Sequence, residues 1–384
     1  MTLATEQLSS HLRDRPANLR KLKEKGTRII GYFVGDYVPE ELIYAAGAVP
    51  LCLCHGGNPM PANAALSGTT RFLCPFSRAQ FGEKMMKEQA YYDLVDMLVV
   101  PITCQHLRRA GDLWEYYAHI PIFRFGIPHE YDGDSALQYY INTTRSLKSS
   151  LEKVTGNQIT DHKLNDAISI YNQMRSLFKD ISLLRQQPQP PISTLDFIKL
   201  NHASYYADPY FIVDYLGSLY RQLRQKKPTP VSSAPRLLLV GPNVAYGDYK
   251  VLELVEETGG MLVAEEVCEG VRYYWGNVTA NGDLLDALAK KYLRDRLPCA
   301  FMRESAKVRL DFIAKLAKDF NAVGIIWYQL LYCDTYDIES YYFIQQMEAL
   351  GYPVLKLESD YEVLDRGSLR TRIEAFMETL TGRK

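Results

Sequence analysis

Seven cysteines are the residues of this sequence with the clearest chemical potential. They stand at positions 52, 54, 74, 104, 268, 299 and 333. Thiolates bind zinc, Cu(I) and iron–sulfur clusters, whereas a free cysteine without a ligand packs like a small apolar side chain. The close Cys-x-x-Cys pairs that zinc sites commonly use do not occur in the sequence. Dispersed single cysteines instead favour an iron–sulfur cluster buried between domains.

The elements that position these cysteines are strands that alternate with helices, which predicts an α/β fold with parallel sheets. Short apolar runs at 96–101, 261–266 and 323–330 are typical of buried parallel strands. Open sheets of this type bind ligands beyond the carboxyl ends of their strands. Six cysteines are predicted at this edge, either directly after a strand or in an adjoining loop: Cys54, Cys74, Cys104, Cys268, Cys299 and Cys333.

Cys52 is expected to stand apart from the other thiols. It alternates with Cys54 on the predicted strand 49–54, so its side chain points to the opposite face of the sheet. We therefore expect Cys52 to pack in the core.

The chain of 384 residues is long enough for more than one domain, and we expect two. The first is predicted at 1–230, with a helical segment at 130–230, and the second at 231–384. The boundary rests on the stretch 226–235, whose Lys, Pro, Thr and Ser content is typical of a linker. Each Rossmann-like domain contributes three of the six cysteines, so the metal site is expected between them. Three thiolates on a four-iron cubane leave one iron open to a substrate, a bridge or solvent.

Composition and charge exclude several other classes of protein. Hydrophobic residues make up 47% and charged residues 23% of the chain, as in ordinary globular proteins. A net charge of −1 offers no basic surface for nucleic acid or for an anionic membrane. No apolar run approaches the roughly 20 residues of a membrane-spanning helix, and the N-terminus lacks the regions of a signal peptide. We therefore expect a cytoplasmic protein, a compartment in which disulfides are rare.

Several short motifs occur in order along nearly the whole chain. They are Gly31-Tyr32, the run from Pro39 to Pro50, Leu73-Cys74-Pro75, Thr103-Cys104, Cys333-Asp-Thr-Tyr, Glu358-Ser-Asp-Tyr361 and Thr371-Arg-Ile-Glu-Ala-Phe. This ordered set resembles the 2-hydroxyacyl-CoA dehydratase and benzoyl-CoA reductase family. One departure is that related chains often read Gly-Cys-Pro after the strand at 236–240, where this chain reads Gly241-Pro-Asn.

The resemblance implies cysteine ligands for an iron–sulfur cofactor. In members that process acyl-CoA, one [4Fe-4S] cluster is held by three cysteines, which match Cys74, Cys104 and Cys333. The fuller set in this chain resembles the double-cubane branch, in which two cubanes joined by a sulfide form an [8Fe-9S] cluster with three cysteines on each. The residues that complete this second set are Cys54, Cys268 and Cys299.

The double-cubane resemblance also implies a function. Such proteins are low-potential reductases of small molecules such as acetylene, and a separate ATP-hydrolysing iron–sulfur activator supplies their electrons. The sequence fits this arrangement, because it contains neither a Gly-x-x-x-x-Gly-Lys-Ser/Thr phosphate loop nor a Gly-x-Gly-x-x-Gly motif after a strand. A homodimer is the family expectation. Two alternatives stay open: a single-cluster dehydratase or benzoyl-CoA reductase-type subunit, and a non-catalytic metal-binding protein.

Two histidines are the candidate catalytic residues. His55 and His106 each follow a predicted ligand within two positions, where an imidazole can donate to a cluster sulfide or relay a proton. The alternative is an ordinary solvated histidine. Arg303, Asp334 and Glu358 lie near predicted strand ends and are candidates for stabilising a reduced cluster or protonating a substrate, with surface ion pairs as the alternative.

Three local expectations concern the second half of the chain. Val308, Phe312 and Leu316 recur every four residues in a predicted helix at 305–319, which predicts a core-facing stripe. Another helix is expected to begin at Asp337, after a loop that carries Cys333. Tyrosines such as Tyr341 and Tyr342 are expected to be packing residues.

Overall fold

The structure, a computed structural model, describes residues 3–226, 232–302 and 304–382. Arg303 and residues 227–231 of the expected linker lie outside the described residues. Within the described ranges the strands form two parallel four-stranded sheets, with helices between successive strands. This arrangement confirms the predicted α/β class with two Rossmann-like units. The domain boundary at residue 230 stays a prediction.

Both sheets are built from short apolar strands: β1 (Ile29–Phe33), β2 (Val49–Leu53), β3 (Met97–Ile102), β4 (Ile122–Gly126), β5 (Arg236–Val240), β6 (Met261–Glu266), β7 (Gly324–Leu330) and β8 (Val354–Ser359). The first sheet is ordered β2-β1-β3-β4 and the second β6-β5-β7-β8. The two halves therefore repeat one topology. Every residue of β1 and of β7 is buried, as expected for parallel strands that are covered on both faces.

Helices connect the strands of the first sheet and bring two cysteines to its edge. Pro75 occupies the first position of its helix, where the missing N–H has no partner to lose. The helices of this half are α1 (Leu3–Glu24), α2 (Glu40–Ala45), α3 (Pro59–Ala64), α4 (Pro75–Met86), α5 (Ala90–Asp93) and α6 (Gln105–Ala118).

A helical segment follows and contacts both halves of the chain. It consists of α7 (Asp134–Thr155), α8 (Asp161–Leu183), α9 (Thr194–Ser204) and α10 (Pro209–Gln225). Arg175 on α8 lies 2.7 Å from Glu41 of α2. Arg185, just after α8, donates to Glu265 of β6 at 2.5 Å. Because all four side chains are buried, these ion pairs tie α8 to the first half and to the second sheet.

The second half adds the helices α11 (Lys250–Glu257), α12 (Val271–Tyr274), α13 (Leu284–Ala289), α14 (Ser305–Asp319), α15 (Asp334–Ala349) and α16 (Arg366–Thr381). Among the described residues, none of the helices combines the length and the apolar character that a membrane span needs.

The two halves meet through backbone contacts beyond the end of β2. Tyr246 donates its N–H to the carbonyl of Cys54 at 2.7 Å, and its own carbonyl accepts from Gly57 at 3.0 Å. A Cβ atom added to Gly57 would lie 2.1 Å from the backbone nitrogen of Asp248. Only glycine therefore permits this close approach of the two backbones.

Helix α15 begins at Asp334 rather than at Asp337, so the prediction for this segment is wrong by almost one turn. Cys333 is consequently the N-terminal cap residue of the helix rather than part of a preceding loop. Asp334 and Asp337 both lie in the first turn, where the helix dipole favours negative charge.

The predicted stripe on α14 is wrong in one position, since Val308 is 39% exposed. Arg309 takes the inward position because it pairs with Glu266 and Glu339. The expectation that Tyr341 and Tyr342 pack inside is also wrong, because they are 68% and 43% exposed.

Candidate metal centre

Three cysteines stand at the N-termini of three helices. Cys74 caps α4, Cys104 caps α6 and Cys333 caps α15. The thiol of Cys104 accepts the N–H of Leu107 at 3.4 Å, as a capping side chain does. Free amide groups and the helix dipole make such a terminus favourable for a thiolate or another anion. We call these three residues the thiol triad.

The members of the thiol triad act on one another electrostatically. Burial raises the pKa of Cys74 to about 12, and the charge of Cys104 adds to this effect. Burial also raises the pKa of Cys333 well above its ordinary value, with further contributions from Cys74 and Cys104. These effects indicate that the three thiols, which are partly buried, share one region of the protein.

Cys299 lies next to the triad and links it to Cys268. Its charge contributes to the raised pKa values of Cys104, Cys333 and Cys268. The Cys299 thiol is 3.5 Å from the hydroxyl of Tyr336. Five of the six predicted ligands therefore influence one another electrostatically, either directly or through Cys299.

Arginines flank the Cys268 end of this group. Arg272 donates to the Cys268 sulfur at 3.3 Å and forms an ion pair of 2.5 Å with Glu266. The charge of Arg296 interacts with Cys268 and with Cys299. Both guanidinium groups are buried, so they stabilise negative charge on these sulfurs with little screening by water.

Cys54 lies at some remove from the other predicted ligands. It follows β2 directly, is fully buried, and its sulfur is 3.6 Å from the hydroxyl of Tyr206. Its charge contributes to the raised pKa of Cys52, which is itself 2% exposed in the core. The carboxylate of Glu269 raises the pKa of both Cys54 and Cys268, so it connects Cys54 to the main group.

The donor set consists of cysteines, and cysteine thiolates are the usual ligands of iron–sulfur clusters. Within the described ranges, no three or more His, Cys, Asp or Glu side chains are grouped closely enough to hold one ion. A cubane spans several atoms and is bound by thiolates alone, so its ligands are spread more widely. Partly buried thiols at three helix N-termini suit such a ligand set.

His106 belongs to the site. Its Nδ1 accepts the backbone N–H of Cys74 at 3.0 Å, which assigns the imidazole proton to Nε2 in the neutral ring. Nε2 lies 3.9 Å from a carboxylate oxygen of Asp334, the residue after Cys333. His106 can therefore hold a proton at Nε2 beside the triad.

His55 occupies an aromatic enclosure instead. Its ring stacks on Tyr246 with centroids 4.3 Å apart and contacts Tyr206 edge-on at 4.9 Å. Burial lowers its pKa to about 4, so the ring is neutral near pH 7. Of the other polar candidates, Glu358 accepts a hydrogen bond from Gln329 on β7.

Two further residues near the triad are not singled out by the sequence pattern. Arg78 lies one helical turn after Cys74 on α4, and its charge counteracts the rise in the pKa of the Cys74 thiol. Tyr361 follows β8. The charge of Cys74 contributes to the raised pKa of the Tyr361 hydroxyl. The four-residue spacing from Cys74 is the one signal that points to Arg78. Tyr361 stands out only as the last residue of a family motif.

Comparison with known proteins gives the family. Residues 36–380 match the family described as "2-hydroxyglutaryl-CoA dehydratase, D-component". The chain is 27% identical over 94% of its length to "Putative dehydratase subunit YjiM" of Escherichia coli (strain K12), of which 93% is covered. It is 24% identical to the (R)-2-hydroxyglutaryl-CoA dehydratase subunit beta of Acidaminococcus fermentans, over 94% of this chain and 95% of that one.

A reductase is also among the relatives. One of the subunits of benzoyl-CoA reductase from Thauera aromatica is 23% identical, over 82% of this chain and 81% of that subunit. The family match extends over most of the chain and includes the thiol triad, the second sheet and the strands β2, β3 and β4 of the first sheet. This chain is therefore an enzyme of the 2-hydroxyglutaryl-CoA dehydratase D-component family, which also includes benzoyl-CoA reductase subunits.

Proposed function

We propose that this enzyme is a double-cubane [8Fe-9S] iron–sulfur reductase of small molecules. The observation that carries the proposal is the electrostatic coupling of the thiols, which runs from the triad through Cys299 to Cys268. A single cubane needs only the triad, so the additional thiols of Cys268 and Cys299 favour a second set of ligands. The proposed ligands are Cys54, Cys74, Cys104, Cys268, Cys299 and Cys333.

When bound, such a cluster would supply low-potential electrons for the reduction of a substrate. The protein's own residues hold the charge and the protons. Three helix N-termini, Arg272 and Arg296 offset the negative charge of the thiolates. His106 keeps a proton at Nε2 next to the triad, and the aromatic side chains around Cys54 exclude water from that side.

The electron donor is proposed to be a separate ATP-hydrolysing [4Fe-4S] activator protein. Negative thiolates and burial make the cluster difficult to reduce, so its potential is low. Coupling to ATP hydrolysis overcomes that barrier, and this chain has no nucleotide-binding motif of its own. A cytoplasmic homodimer completes the proposal. Several relatives are named as subunits, which supports the need for a partner.

The second candidate is a single-cluster [4Fe-4S] subunit of a 2-hydroxyacyl-CoA dehydratase or of a benzoyl-CoA reductase-type enzyme. Two observations favour it. The relatives carry such names, and Cys54 interacts with Cys52 rather than with the triad. Membership of an enzyme family leaves the non-catalytic alternative without support.

Iron and acid-labile sulfide per chain, measured after anaerobic purification, test the cluster type. We expect about eight irons per chain, the content of two cubanes. Replacing Cys104 by Ser should remove most of the iron, because an alkoxide is a poor substitute for a thiolate. Cys52→Ser is the matched control and should keep the iron. A content of about four irons in the unaltered protein would support the second candidate instead.

Turnover tests the proposed electron supply. The purified protein, a dehydratase-type activator, a reductant and a small triply bonded substrate are mixed with and without ATP. We expect reduction only when both the activator and ATP are present. Equal rates without them would contradict the proposal, and dehydration of a 2-hydroxyacyl-CoA after addition of a sister subunit would favour the second candidate.

A further inference from the structure

A cavity of about 300 Å³ lies beside the thiol triad, between the two halves of the chain. One wall comes from α3 and α4, including Pro75, the neighbour of Cys74. The opposite wall comes from the segments after β7 and β8, including Tyr332, the neighbour of Cys333. The chain neighbours of two of the three triad residues therefore line the cavity.

Arg78 lines this cavity, and no carboxylate in the described ranges pairs with its charge. The residue is 8% exposed, and its Nε is buried without a hydrogen-bond partner among the described residues. The other buried arginines of these ranges differ: Arg15, Arg175, Arg185, Arg272, Arg296 and Arg309 each pair with a carboxylate or a carbonyl. Burying an unpaired charge is costly, so this arrangement suits a role in binding.

Tyr361 lines the same cavity and offers a second donor. It is 5% exposed, and its hydroxyl has no hydrogen-bond partner among the described residues. Burial raises the pKa of the Tyr361 hydroxyl, and the charge of Cys74 adds to this rise. Burial also raises the pKa of the Cys74 thiol, and the charge of Arg78 reduces that rise. Two buried donors thus face one small space next to the triad.

The acidic groups of the cavity wall are already engaged. Asn63 donates to the carboxylate of Glu362 at 3.0 Å, and the backbone N–H of Glu362 donates to Asp360 at 2.8 Å. Neither carboxylate pairs with Arg78. Their negative charge nevertheless disfavours a doubly charged ligand such as phosphate, whereas a single carboxylate matches the planar guanidinium.

We propose that Arg78 and Tyr361 form a carboxylate-binding subsite that holds a small organic acid against the thiol triad. The proposal rests on the proposed function, since it takes the triad as the cluster site, and it adds the substrate class. The guanidinium binds the carboxylate, and the Tyr361 hydroxyl donates to it. The cavity volume of about 300 Å³ accommodates a small organic acid.

Binding of propionate, compared with uncharged propionamide, tests the subsite. Ligand-observed NMR titrations use the anaerobically purified protein, and the iron content of the same sample is measured. We expect propionate to bind at least about tenfold more tightly than propionamide, since a charge-assisted bond to a buried donor is strong. Arg78→Gln should abolish this preference, and Tyr361→Phe should weaken propionate binding severalfold.

Two control variants make the result specific. Arg78→Lys keeps the positive charge but lacks the planar guanidinium, so it should restore part of the preference for propionate over propionamide. Arg109→Gln alters an exposed arginine of α6 and should bind propionate normally. Equal propionate binding by the unaltered protein and by Arg78→Gln would overturn the subsite. Inorganic phosphate binding more tightly than propionate would overturn the carboxylate assignment.

The iron measurement separates this proposal from the proposed function. Propionate preference with no iron–sulfur content would keep the subsite and refute the cluster. Loss of iron in Arg78→Gln with unchanged propionate binding would show that Arg78 serves the cluster alone, and the subsite would be wrong.

Discussion

Glu40 and Glu41 are adjacent buried carboxylates at the start of α2. The hydroxyls of Tyr32 and Tyr273 donate to Glu40 at 2.7 and 2.8 Å, and Arg175 pairs with Glu41. Burial, followed by the charge of Glu41, raises the pKa of Glu40 to about 7 from its ordinary 4.5. The folded protein therefore keeps a proton on Glu40 at a pH where the unfolded chain has lost it.

This difference predicts a pH-dependent contribution to stability. The folded state gains from the proton of Glu40 at low pH, and the gain is lost as the pH rises from about 4.5 to about 7. Glu40→Gln cannot lose a proton, so relative to the unaltered protein it should become more stable by about 1–3 kcal/mol between pH 5 and pH 8. Urea unfolding at the two pH values measures this difference.

The exposed Glu378→Gln variant is the control and should follow the unaltered protein at both pH values. Parallel pH profiles for Glu40→Gln and the unaltered protein would show that the protonation of Glu40 does not contribute.

Arg78 and Tyr361 mark the limit of sequence reasoning at the residue scale. The cysteines are identifiable because thiols are uncommon and follow apolar strands. An arginine in a helix and a tyrosine after a strand are common in protein sequences. Arg78 and Tyr361 stand out only because Arg78 Nε and the Tyr361 hydroxyl are buried without hydrogen-bond partners among the described residues. That information exists only in the folded structure.

Among the helices and strands, α8 depends on its buried ion pairs for its position. Arg185 donates to both carboxylate oxygens of Glu265, and all these groups are fully buried. Glu265→Gln removes the charge partner and leaves the guanidinium in the interior, so we expect a loss of about 3–5 kcal/mol in the free energy of unfolding.

Urea unfolding measures this loss, and Lys307→Gln serves as the comparison. Lys307 pairs with Asp311 on the surface of α14, so its replacement should leave the unfolding midpoint nearly unchanged. Similar midpoints for Glu265→Gln and Lys307→Gln would contradict the structural importance of the buried pair.

Most strands and helices are predictable from the sequence, because apolar runs and helical spacing reflect burial directly. The strand Arg236–Val240 and the helix Ser305–Asp319 occur as predicted. The prediction for the inner face of that helix is wrong, because pattern rules place arginine outside while Arg309 turns inward to Glu266. Buried ion pairs between distant elements leave no periodic signal.

For the whole molecule, the contact at Gly57 controls how closely the halves approach. A methyl group there would lie 2.1 Å from the nitrogen of Asp248, and backbone atoms cannot move aside as side chains do. Gly57→Ala should therefore separate the halves, lower the thermal unfolding temperature and reduce the iron bound per chain.

Gly217→Ala on α10 is the matched control. Its added methyl group has only the end of Arg221 nearby, at 3.8 Å, and alanine favours a helix by about 0.5–1 kcal/mol over glycine. We expect unchanged or slightly higher stability. A Gly57→Ala protein with normal iron content and normal stability would refute the role of this contact.

The order of the triad along the chain has a consequence for biosynthesis. Cys74 and Cys104 leave the ribosome early, whereas Cys333 leaves it only after β7, near the end of translation. A cofactor that needs all three thiols can therefore be inserted only once almost the entire polypeptide has been made. In the proposed cluster protein, Cys74 and Cys104 therefore remain free thiols until Cys333 has been made.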